Sequence, residues 1–444
     1  MKRRTFLQLI GAGSAALAAR PLFAATEKTD QFFIFIHASG GWDVTLWADP
    51  RNERKGLVEP ASTDNTDLAP LAKWKSTKLD GDTDTFEILE AGALRFGPGI
   101  GELIDLHDRL TVVNGLAMNT VSHPDGTAFS CTGRHLAGGR SPAASIDVAL
   151  TNELGTGQLL PDVAIGFPAA YVGDHLDRRA IPLRVASAGT IAKSLARSDA
   201  YLNERDRAAI TALLTDEAQT LAAKSVYPET FDRIASQEDA LPHLLGNELK
   251  TAFTPQALQA AYPQLDYKAK NLGAGALGAA FAVEAMKRNL IRCLGFSLGG
   301  LDTHNQNYKQ HAHTQQELFG TIASLVKLLD ATPHPTRRGA KLADHTHLLV
   351  FSDFCRTPQI NLSGGRDHYP NNSALVISPR FVAGKAFGKT DLEQVLPADA
   401  GLGFSDGARP IAPPDLLATF LAAFAIDPRK YLRDGEVVKQ MLKA

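Results

Sequence analysis

The sequence contains few cysteines and no excess of either charge. Three cysteines among 444 residues, Cys131, Cys293 and Cys355, lie far apart, which excludes a disulfide framework and a zinc site of paired cysteines. In an oxidising compartment one bridge would use two of the three, and the sequence does not say which. The formal net charge of -2 and the pI of about 6.7 provide no basic surface for nucleic acid. Beyond the N-terminal segment, no apolar run is long enough to span a membrane.

The N-terminus, by contrast, has the features of an export signal. Arg3 and Arg4 in "KRRTFLQ" precede an apolar run over residues 9–19 and a small-residue end near residue 25. The apolar run is shorter than the roughly 20 residues that cross a bilayer, which argues against the alternative of a membrane anchor. The pattern resembles a twin-arginine signal. It predicts a signal peptide over residues 1–25, a transient partnership with the twin-arginine translocase, and a periplasmic or otherwise exported protein.

Strand-like and helix-like segments alternate along the remaining chain. The strand-like segments are "FFIFIHA", "RLTVV", "DVAIGF", "IRCLGFSL", "THLLVFSD" and "SALVIS". Residues 191–286 are rich in Ala, Leu, Lys and Glu with helical spacing. Alternation of this kind predicts an α/β fold with a mostly parallel central sheet and helices on both faces. We therefore expect residues 26–444 to form a single domain with a mainly helical insertion at about 191–286.

Acidic and histidine side chains follow or precede several of the predicted strands. Asp43 follows the first strand, Asp302 and His304 follow "CLGFSLGGL", Asp353 follows "HLLVFS" directly, and His368 precedes "SALVIS". The carboxyl ends of parallel strands meet at one edge of a sheet, where ligands commonly bind. Crowded carboxylates repel one another unless a divalent cation joins them, and imidazoles favour zinc, manganese or iron over calcium. These five residues are therefore predicted ligands of a divalent metal, with zinc or manganese favoured.

Each of these residues also has a purely structural interpretation. An aspartate after a strand is a common N-cap of the following helix, and Asp302 fits that description with His304 incidental. A lone histidine is usually an ordinary surface or core residue. The coincidence of several such strand exits in one chain is what favours the metal site.

Four segments carry a resemblance to a known family. They are "SLGGLDTHNQN", "LLVFSDFCRTP", "GGRDHYP" and the closing "PPDLLATFLAAFAID", which together cover both ends of the mature chain. The chain resembles a bacterial family of twin-arginine-exported proteins of unknown function, distantly related to alkaline phosphatases and sulfatases. The resemblance implies an alkaline-phosphatase-like α/β fold, with the helical block between the matching ends least constrained.

The resemblance also assigns metal ligands, with one departure. In alkaline phosphatases and sulfatases an Asp after the first strand binds metal, and Asp43 is similar to it. Asp302 and His304 resemble a later Asp and His pair, with shorter spacing, and His368 resembles a last histidine ligand. The Ser-Asp-His of those enzymes reads "FSDF" here, so Asp353 is kept and a phenylalanine replaces the histidine. This departure predicts that a two-metal site is incomplete.

The catalytic group is sought in "NTVSHPDGTAFSCTGRH". The alkaline phosphatase pattern, matched in "TAFS", places Ser122 at the nucleophile, and the sulfatase pattern, matched in "TGR", places His123 there. The Cys-x-Pro-Ser-Arg signature of formylglycine sulfatases is absent. Ser122 activated by a metal or base fits a nucleophile, and beside Pro-Asp-Gly it equally fits a cap or turn residue. Arg356 suits an anionic substrate oxygen, or equally an ion pair that holds its loop.

Two classes of function follow. The first is an exported metal-dependent hydrolase or transferase that acts on small phosphate or sulfate esters, with the acidic and histidine residues at the strand ends in its favour. The second is a non-catalytic exported binding or assembly protein that retains the fold. Phe354 and the two competing nucleophile registers favour the second.

Overall fold

A computed structural model describes residues 30–51, 76–79, 83–155, 157–195, 251–270 and 272–443, with scattered positions between 203 and 224. The predicted signal peptide, with Arg3 and Arg4, lies outside the described residues. All three cysteines are described, buried and free of disulfide bonds. No helix among the described residues is long and apolar enough to cross a membrane.

An eight-stranded sheet forms the centre of the fold. Its strands are β1 (Phe32–Ala38), β2 (Thr111–Val113), β3 (Leu160–Ile165), β4 (Leu183–Val185), β5 (Ile291–Leu298), β6 (Thr346–Ser352), β7 (Ala374–Ile377) and β8 (Lys385–Phe387). The strand order is β8-β2-β7-β6-β1-β5-β3-β4. Every neighbouring pair is parallel except those of β7, which runs antiparallel to β6 and β2. The prediction of a mixed α/β fold with a mostly parallel sheet is confirmed.

Helices cover both faces of this sheet. Among the described residues the α-helices of the larger unit are α1 (His123–Thr132), α2 (Ile146–Leu154), α5 (Gly273–Lys287), α6 (Ala312–Ala331) and α7 (Pro413–Ala422), and those of a smaller unit are α3 (Ala188–Leu195) and α4 (Pro255–Ala261). Cys293 of β5 belongs to an apolar cluster that includes residues of α2 and α7. Three residues further along the same strand, Phe296 contacts Gly278 of α5. Positions of opposite parity on a strand face opposite sides, so α5 lies on the other face from α2 and α7.

Shorter elements complete the description. The 3-10 helices are Val44–Leu46, Pro98–Arg109, Arg178–Ala180, Leu342–His345, Pro428–Lys430 and Lys439–Met441, and Asn307–His311 forms a π-helical turn. The two-stranded pairs are Ser76–Leu79 with Thr83–Phe86, Leu89–Ala91 with Leu94–Phe96, Cys355–Arg356 with His368–Tyr369, and Lys389–Thr390 with Pro397–Ala398.

The chain divides into two units. The larger comprises Lys28–Ser187 with Tyr262–Ala444, and the smaller comprises Met1–Glu27 with Ala188–Ala261. The described helices of the smaller unit are α3 and α4, and much of the predicted insertion at about 191–286 lies outside the described residues. Helix α5, which the prediction assigned to the insertion, belongs to the larger unit and packs on the sheet.

One edge of the sheet collects the ends of the central strands. The last residue of β1, Ala38, pairs with Ser352 of β6 and Leu298 of β5, so these three strands end together. Because β7 is antiparallel to β6, its first residue Ala374 lies beside Phe351 at the same edge. The loops after β1, β5 and β6 and the segment before β7 therefore meet there.

A pair of buried acids lies between α2 and the sheet. Asp147 of α2 is 0% exposed and Asp162 of β3 is 1% exposed, and neither carboxyl group accepts a well-formed hydrogen bond from the described residues. Burial raises the pKa of both carboxyls, and the charge of Asp147 raises the pKa of Asp162 further. The surrounding groups include the buried thiols of Cys131 and Cys293, the hydroxyls of Ser145 and Thr151, and the Arg184 guanidinium. The pair is therefore most stable when it holds a proton.

We expect Asp162→Asn to stabilise the protein by about 1–3 kcal/mol at pH 8. The substitution removes a buried acid that has no hydrogen-bond donor, and the new amide can donate to Asp147. In the wild type the native state holds protons that the unfolded chain releases above about pH 4. The free energy of unfolding of the wild type therefore falls as pH rises. The difference in thermal midpoint between variant and wild type should therefore widen from pH 4 to pH 8. The exposed Asp174→Asn is the control. A constant difference across pH would contradict the assignment.

Candidate metal centre

Four side chains meet at the edge where the central strands end. They are His123, the first residue of α1, Asp302 and His304 after β5, and His368 before β7; we call them the His–Asp cluster. Asp302 Oδ1 lies 3.4 Å from His123 Nε2, 3.2 Å from His304 Nε2 and 3.7 Å from His368 Nε2. His304 Nε2 lies 3.0 Å from His368 Nε2. The metal-binding atoms of His123, Asp302 and His368 all lie within 4.8 Å of one another.

The other ring nitrogen of each histidine is held by an acceptor that has no hydrogen to give. The contacts are His123 Nδ1 to Asp353 Oδ2 (2.7 Å), His304 Nδ1 to Asp367 Oδ1 (2.7 Å) and His368 Nδ1 to the Val121 carbonyl (2.8 Å). Each Nδ1 therefore carries the hydrogen, and a neutral ring then has a lone pair on Nε2. His123 Nε2 is buried and makes no hydrogen bond with the described residues. The lone pairs of His123 Nε2 and His368 Nε2 thus face the Asp302 carboxylate, whereas His304 Nε2 lies beside Asp302 and His368 and also faces Arg356 Nη1 at 3.4 Å.

This arrangement fits a divalent cation. Lone pairs 3.0 Å apart on His304 and His368 repel each other unless a cation or an added proton lies between them. Ligands about 2.0–2.1 Å from a tetrahedral zinc ion lie about 3.3 Å from one another, close to the 3.4 Å and 3.7 Å that separate Asp302 Oδ1 from His123 Nε2 and from His368 Nε2. Acceptors that fix the Nδ1 hydrogen of a ligating histidine are typical of metal sites. The cluster is therefore a candidate metal-binding site.

Local electrostatics set the charge of the cluster. Partial burial raises the pKa of Asp302, but the Arg356 guanidinium outweighs it and the net shift is downward, so the carboxylate is ionised. Burial lowers the pKa of His368 despite the opposing Val121 carbonyl, which favours the neutral, metal-binding form. The hydrogen bond to Asp353 raises the pKa of His123 against a smaller effect of burial.

Asp353, a predicted ligand, lies behind His123 and does not join the cluster. Its side chain is 1% exposed and its oxygens are occupied. Oδ1 accepts from His37 Nε2 and from the Thr127 hydroxyl at 3.0 Å, and Oδ2 accepts from the Gly40 N–H at 3.0 Å and from His123. Burial raises the pKa of Asp353, but the bonds from His123 and His37 prevail and hold it well below its usual range. Asp353 orients His123.

Asp43, another predicted ligand, is also placed away from the cluster. It is fully buried and caps the 3-10 helix Val44–Leu46 through a 3.0 Å bond from the Thr45 N–H. Its second oxygen accepts from Asn307 at 2.8 Å and lies 3.1 Å from Arg366 Nε. The structural interpretation of an aspartate after a strand therefore describes Asp43, and of the five predicted ligands only Asp302, His304 and His368 come together.

Arg356, the predicted anion-binding residue, is held by protein atoms on every side. Nε donates to the Gly41 carbonyl at 2.9 Å, and Nη1 donates to the Arg366 carbonyl at 3.1 Å and faces His304 Nε2 at 3.4 Å. Nη2 donates to the Gly40 carbonyl and to Asp302 Oδ1, the latter at 2.6 Å. All five N–H groups of the guanidinium are engaged, so in this arrangement Arg356 clamps the loops and orients Asp302.

Comparison with known proteins identifies the family. A family model described as "Protein of unknown function (DUF1501)" matches residues 31–439. The chain belongs to this family.

Comparison with solved structures gives only distant likeness. The crystal structure of Ps i-CgsB in complex with k-i-k-neocarrahexaose is 12% identical, covering 91% of this chain and 74% of that chain, with a TM-score of 0.33. The crystal structure of Ps i-CgsB is also 12% identical, covering 89% of this chain and 72% of that chain, with a TM-score of 0.33. No curated protein matches this chain. These values are too low to carry an argument about activity.

In this DUF1501 protein, Ser122 and His123 lie at the start of α1 in different settings. Ser122 is the exposed N-cap residue; its N–H donates to the Thr120 hydroxyl at 3.2 Å, and its own hydroxyl makes no capping bond. His123 is the first helical residue and belongs to the cluster. No hydrogen bond joins the Ser122 hydroxyl to the described residues of the cluster.

Three further side chains around the cluster were not among the predicted site residues. Phe354 is fully buried, and its ring centroid lies 4.6 Å from those of His123 and His368, so it forms an apolar floor. His37 binds Asp353, and Asp367 binds His304. A histidine inside the apolar strand "FFIFIHA" is a signal that was available for His37, since buried polar groups need partners. Asp367 offers no comparable signal beyond its place before His368.

Proposed function

We propose that this protein is an exported, metal-dependent hydrolase or transferase of phosphate or sulfate esters on an alkaline-phosphatase-like fold. The observation that carries the proposal is the convergence of His123, Asp302 and His368 ligand atoms, with His304 Nε2 beside Asp302 and each histidine Nδ1 held by an acceptor. The sequence resemblance to the ligand pattern of alkaline phosphatases and sulfatases supports it. Small anionic esters are the proposed substrates.

Metal binding, anion stabilisation and nucleophilic attack are proposed for different residues of the site. A bound zinc or manganese ion would polarise the ester oxygen and stabilise the charge that develops during the reaction. His123, Asp302 and His368 would hold it, with His304 beside Asp302, while Asp353 keeps His123 oriented. The N-terminus of the ten-residue helix α1 lies beside the cluster and favours the negative charge of an ester. Ser122, at that N-terminus, is the proposed attacking group.

Removal and return of the metal tests the proposal. We expect purified protein to contain a divalent metal and to hydrolyse at least one member of a panel of aryl and alkyl phosphate and sulfate esters. Dialysis against a chelator should lower turnover at least about a hundredfold, since metal catalysis contributes several kcal/mol, and zinc or manganese should restore it. Activity that persists in chelator with no metal detected would refute the metal-dependent mechanism.

A non-catalytic binding or assembly role is the second candidate. The observation that favours it is the complete engagement of Arg356, which leaves no guanidinium N–H for an anionic substrate. A protein that binds the metal yet is inert on the whole ester panel would support this alternative.

Export is a proposal from the sequence, since Arg3 and Arg4 lie outside the described residues. Replacing both arginines by lysine should leave the protein in the cytoplasm, because the twin-arginine pathway reads that pair. Cell fractionation and immunoblotting measure the distribution. Unchanged recovery from the periplasm would contradict the proposed route.

A further inference from the structure

Three aspartates follow the ends of the central strands, and they differ in how many acceptor positions remain open. Asp43 follows β1, Asp302 follows β5 and Asp353 follows β6. A carboxylate offers about four lone-pair positions to donors or cations. The protein groups around each aspartate therefore show which of them still has room for a metal.

Asp43 is saturated. Oδ1 accepts from the Thr45 N–H at 3.0 Å and the Thr45 hydroxyl at 2.6 Å, and Oδ2 accepts from the Asn307 amide at 2.8 Å. The fourth position faces Arg366 Nε at 3.1 Å in an ion pair that lacks hydrogen-bond geometry, and the Asp43 and Arg366 side chains are both 0% exposed. The guanidinium is permanently protonated, so Asp43 already has a fixed positive partner.

Asp353 is saturated in the same way. The His37 ring and the Thr127 hydroxyl bind Oδ1, and the Gly40 N–H and the His123 ring bind Oδ2. Next to it in the chain, Phe354 places an aromatic ring beneath the cluster, where it supplies no ligand atom. Neither Asp43 nor Asp353 can bind a cation without releasing donors, among them the buried side chains of Asn307 and His37.

Asp302 alone keeps an open oxygen. Its Oδ1 accepts from Arg356 at 2.6 Å, and no described residue donates to Oδ2. Its side chain is 54% exposed, so a cation can reach it. The carboxylate of the cluster is thus the one with capacity for a metal.

We propose that this site takes one divalent cation and not two, and that Arg366 is the fixed positive charge at Asp43, in the place of a second cation. The inference rests on the metal site of the proposed function. Arg356 pairs with Asp302 as well, but it leaves one Asp302 oxygen open. A second dication beside Asp43 would find no open oxygen and would lie against the Arg366 guanidinium, which also donates to the Thr357 carbonyl at 2.7 Å, the Pro358 carbonyl and the Tyr308 hydroxyl at 2.9 Å. Those bonds prevent the guanidinium from moving aside.

Asp302→Asn and Asp43→Asn each remove one negative charge, but the inference predicts different effects on cation binding. Asp302→Asn removes the open carboxylate and should weaken cation binding by more than about a hundredfold, beyond the usual effect of losing an outer partner. Asp43→Asn changes a residue with no open position and should leave one cation bound, with an affinity within about tenfold of the wild type. The two variants therefore form a matched pair.

The count of bound metal tests the inference. Full-length mature protein is stripped with a chelator, titrated separately with Zn²⁺ and Mn²⁺, and measured by native mass spectrometry and elemental analysis. One cation per wild-type chain, lost in Asp302→Asn and kept in Asp43→Asn, is the expected result. Two cations per wild-type chain, or loss of the cation in a folded Asp43→Asn variant, would overturn the inference while leaving the metal site of the proposed function intact.

Two further results are decisive. No cation bound by the wild type at any concentration would overturn the metal site itself and with it both proposals. If Asp43→Asn fails to fold because Arg366 is left unpaired, the double variant Asp43→Asn with Arg366→Gln removes both charges together. That variant should still bind one cation at the Asp302 site, and loss of it in a folded protein would place Asp43 among the ligands.

Discussion

Replacing His368 by alanine is expected to abolish stable metal binding and to lower ester turnover about a thousandfold. The change removes one of three Nε2 atoms that face Asp302 and leaves His304 Nε2 without its neighbour at 3.0 Å. A metal that contributes about 4 kcal/mol to transition-state stabilisation corresponds to about that factor in rate. Metal content and kcat/KM on an ester from the panel are the measurements.

The same variant should fold normally. The His368 side chain is 25% exposed and its backbone pairs with Arg356 in a two-stranded ladder that alanine preserves. We expect a loss of stability of no more than about 1 kcal/mol. The control is His175→Ala, an exposed histidine outside the cluster, which should keep full metal content and activity. Wild-type metal content in His368→Ala would remove this residue from the ligands.

The sheet was predictable because buried parallel strands have a simple pattern. "FFIFIHA" and "THLLVFS" are near-continuous apolar runs, and both strands are buried along their whole length. The antiparallel direction of β7 was not predictable, since nothing in "SALVIS" distinguishes it from a parallel strand. That direction matters, because it brings His368 from the segment before β7 to the same edge as Asp302.

The site was predictable only in part, because residue type and position do not reveal partners from distant segments. Asp43 and Asp302 both follow glycines at the end of a strand, so their sequence contexts do not distinguish a ligand from a structural residue. Asn307 and Arg366, 264 and 323 positions further along the chain, fill the Asp43 carboxylate, whereas Asp302 keeps an open oxygen. The Arg356 guanidinium has the right chemistry to bind an anion, but it donates to the carbonyls of Gly40 and Gly41 after β1.

Polar residues inside apolar strands mark buried hydrogen-bond networks. His37 interrupts β1 and His347 interrupts β6, and both are buried. His37 supports Asp353, whereas His347 binds Gln31 and Ser378 at the opposite end of the strands. The sequence predicts that such histidines need partners, but only the register of the sheet decides which of them faces the site.

Ser122→Ala is expected to lower turnover by about three orders of magnitude while leaving metal content unchanged. We propose Ser122 as the attacking group because its hydroxyl makes no capping bond, is exposed, and adjoins His123 at the start of α1. Loss of a covalent nucleophile costs about 4 kcal/mol or more of transition-state stabilisation. Loss of a mere cap or turn residue changes stability by about 1 kcal/mol and leaves turnover nearly intact.

The matched control is Thr120→Val, which removes the hydroxyl that accepts the Ser122 N–H and so perturbs the same loop without touching the Ser122 hydroxyl. Turnover on an ester of the panel, metal content and thermal midpoint are compared for the wild type and both variants. A thousandfold loss confined to Ser122→Ala supports attack by this serine. Equal losses in the two variants would show that loop geometry is the cause, and full activity in Ser122→Ala would leave water as the attacking group, because the retained metal shows that the His–Asp cluster is intact.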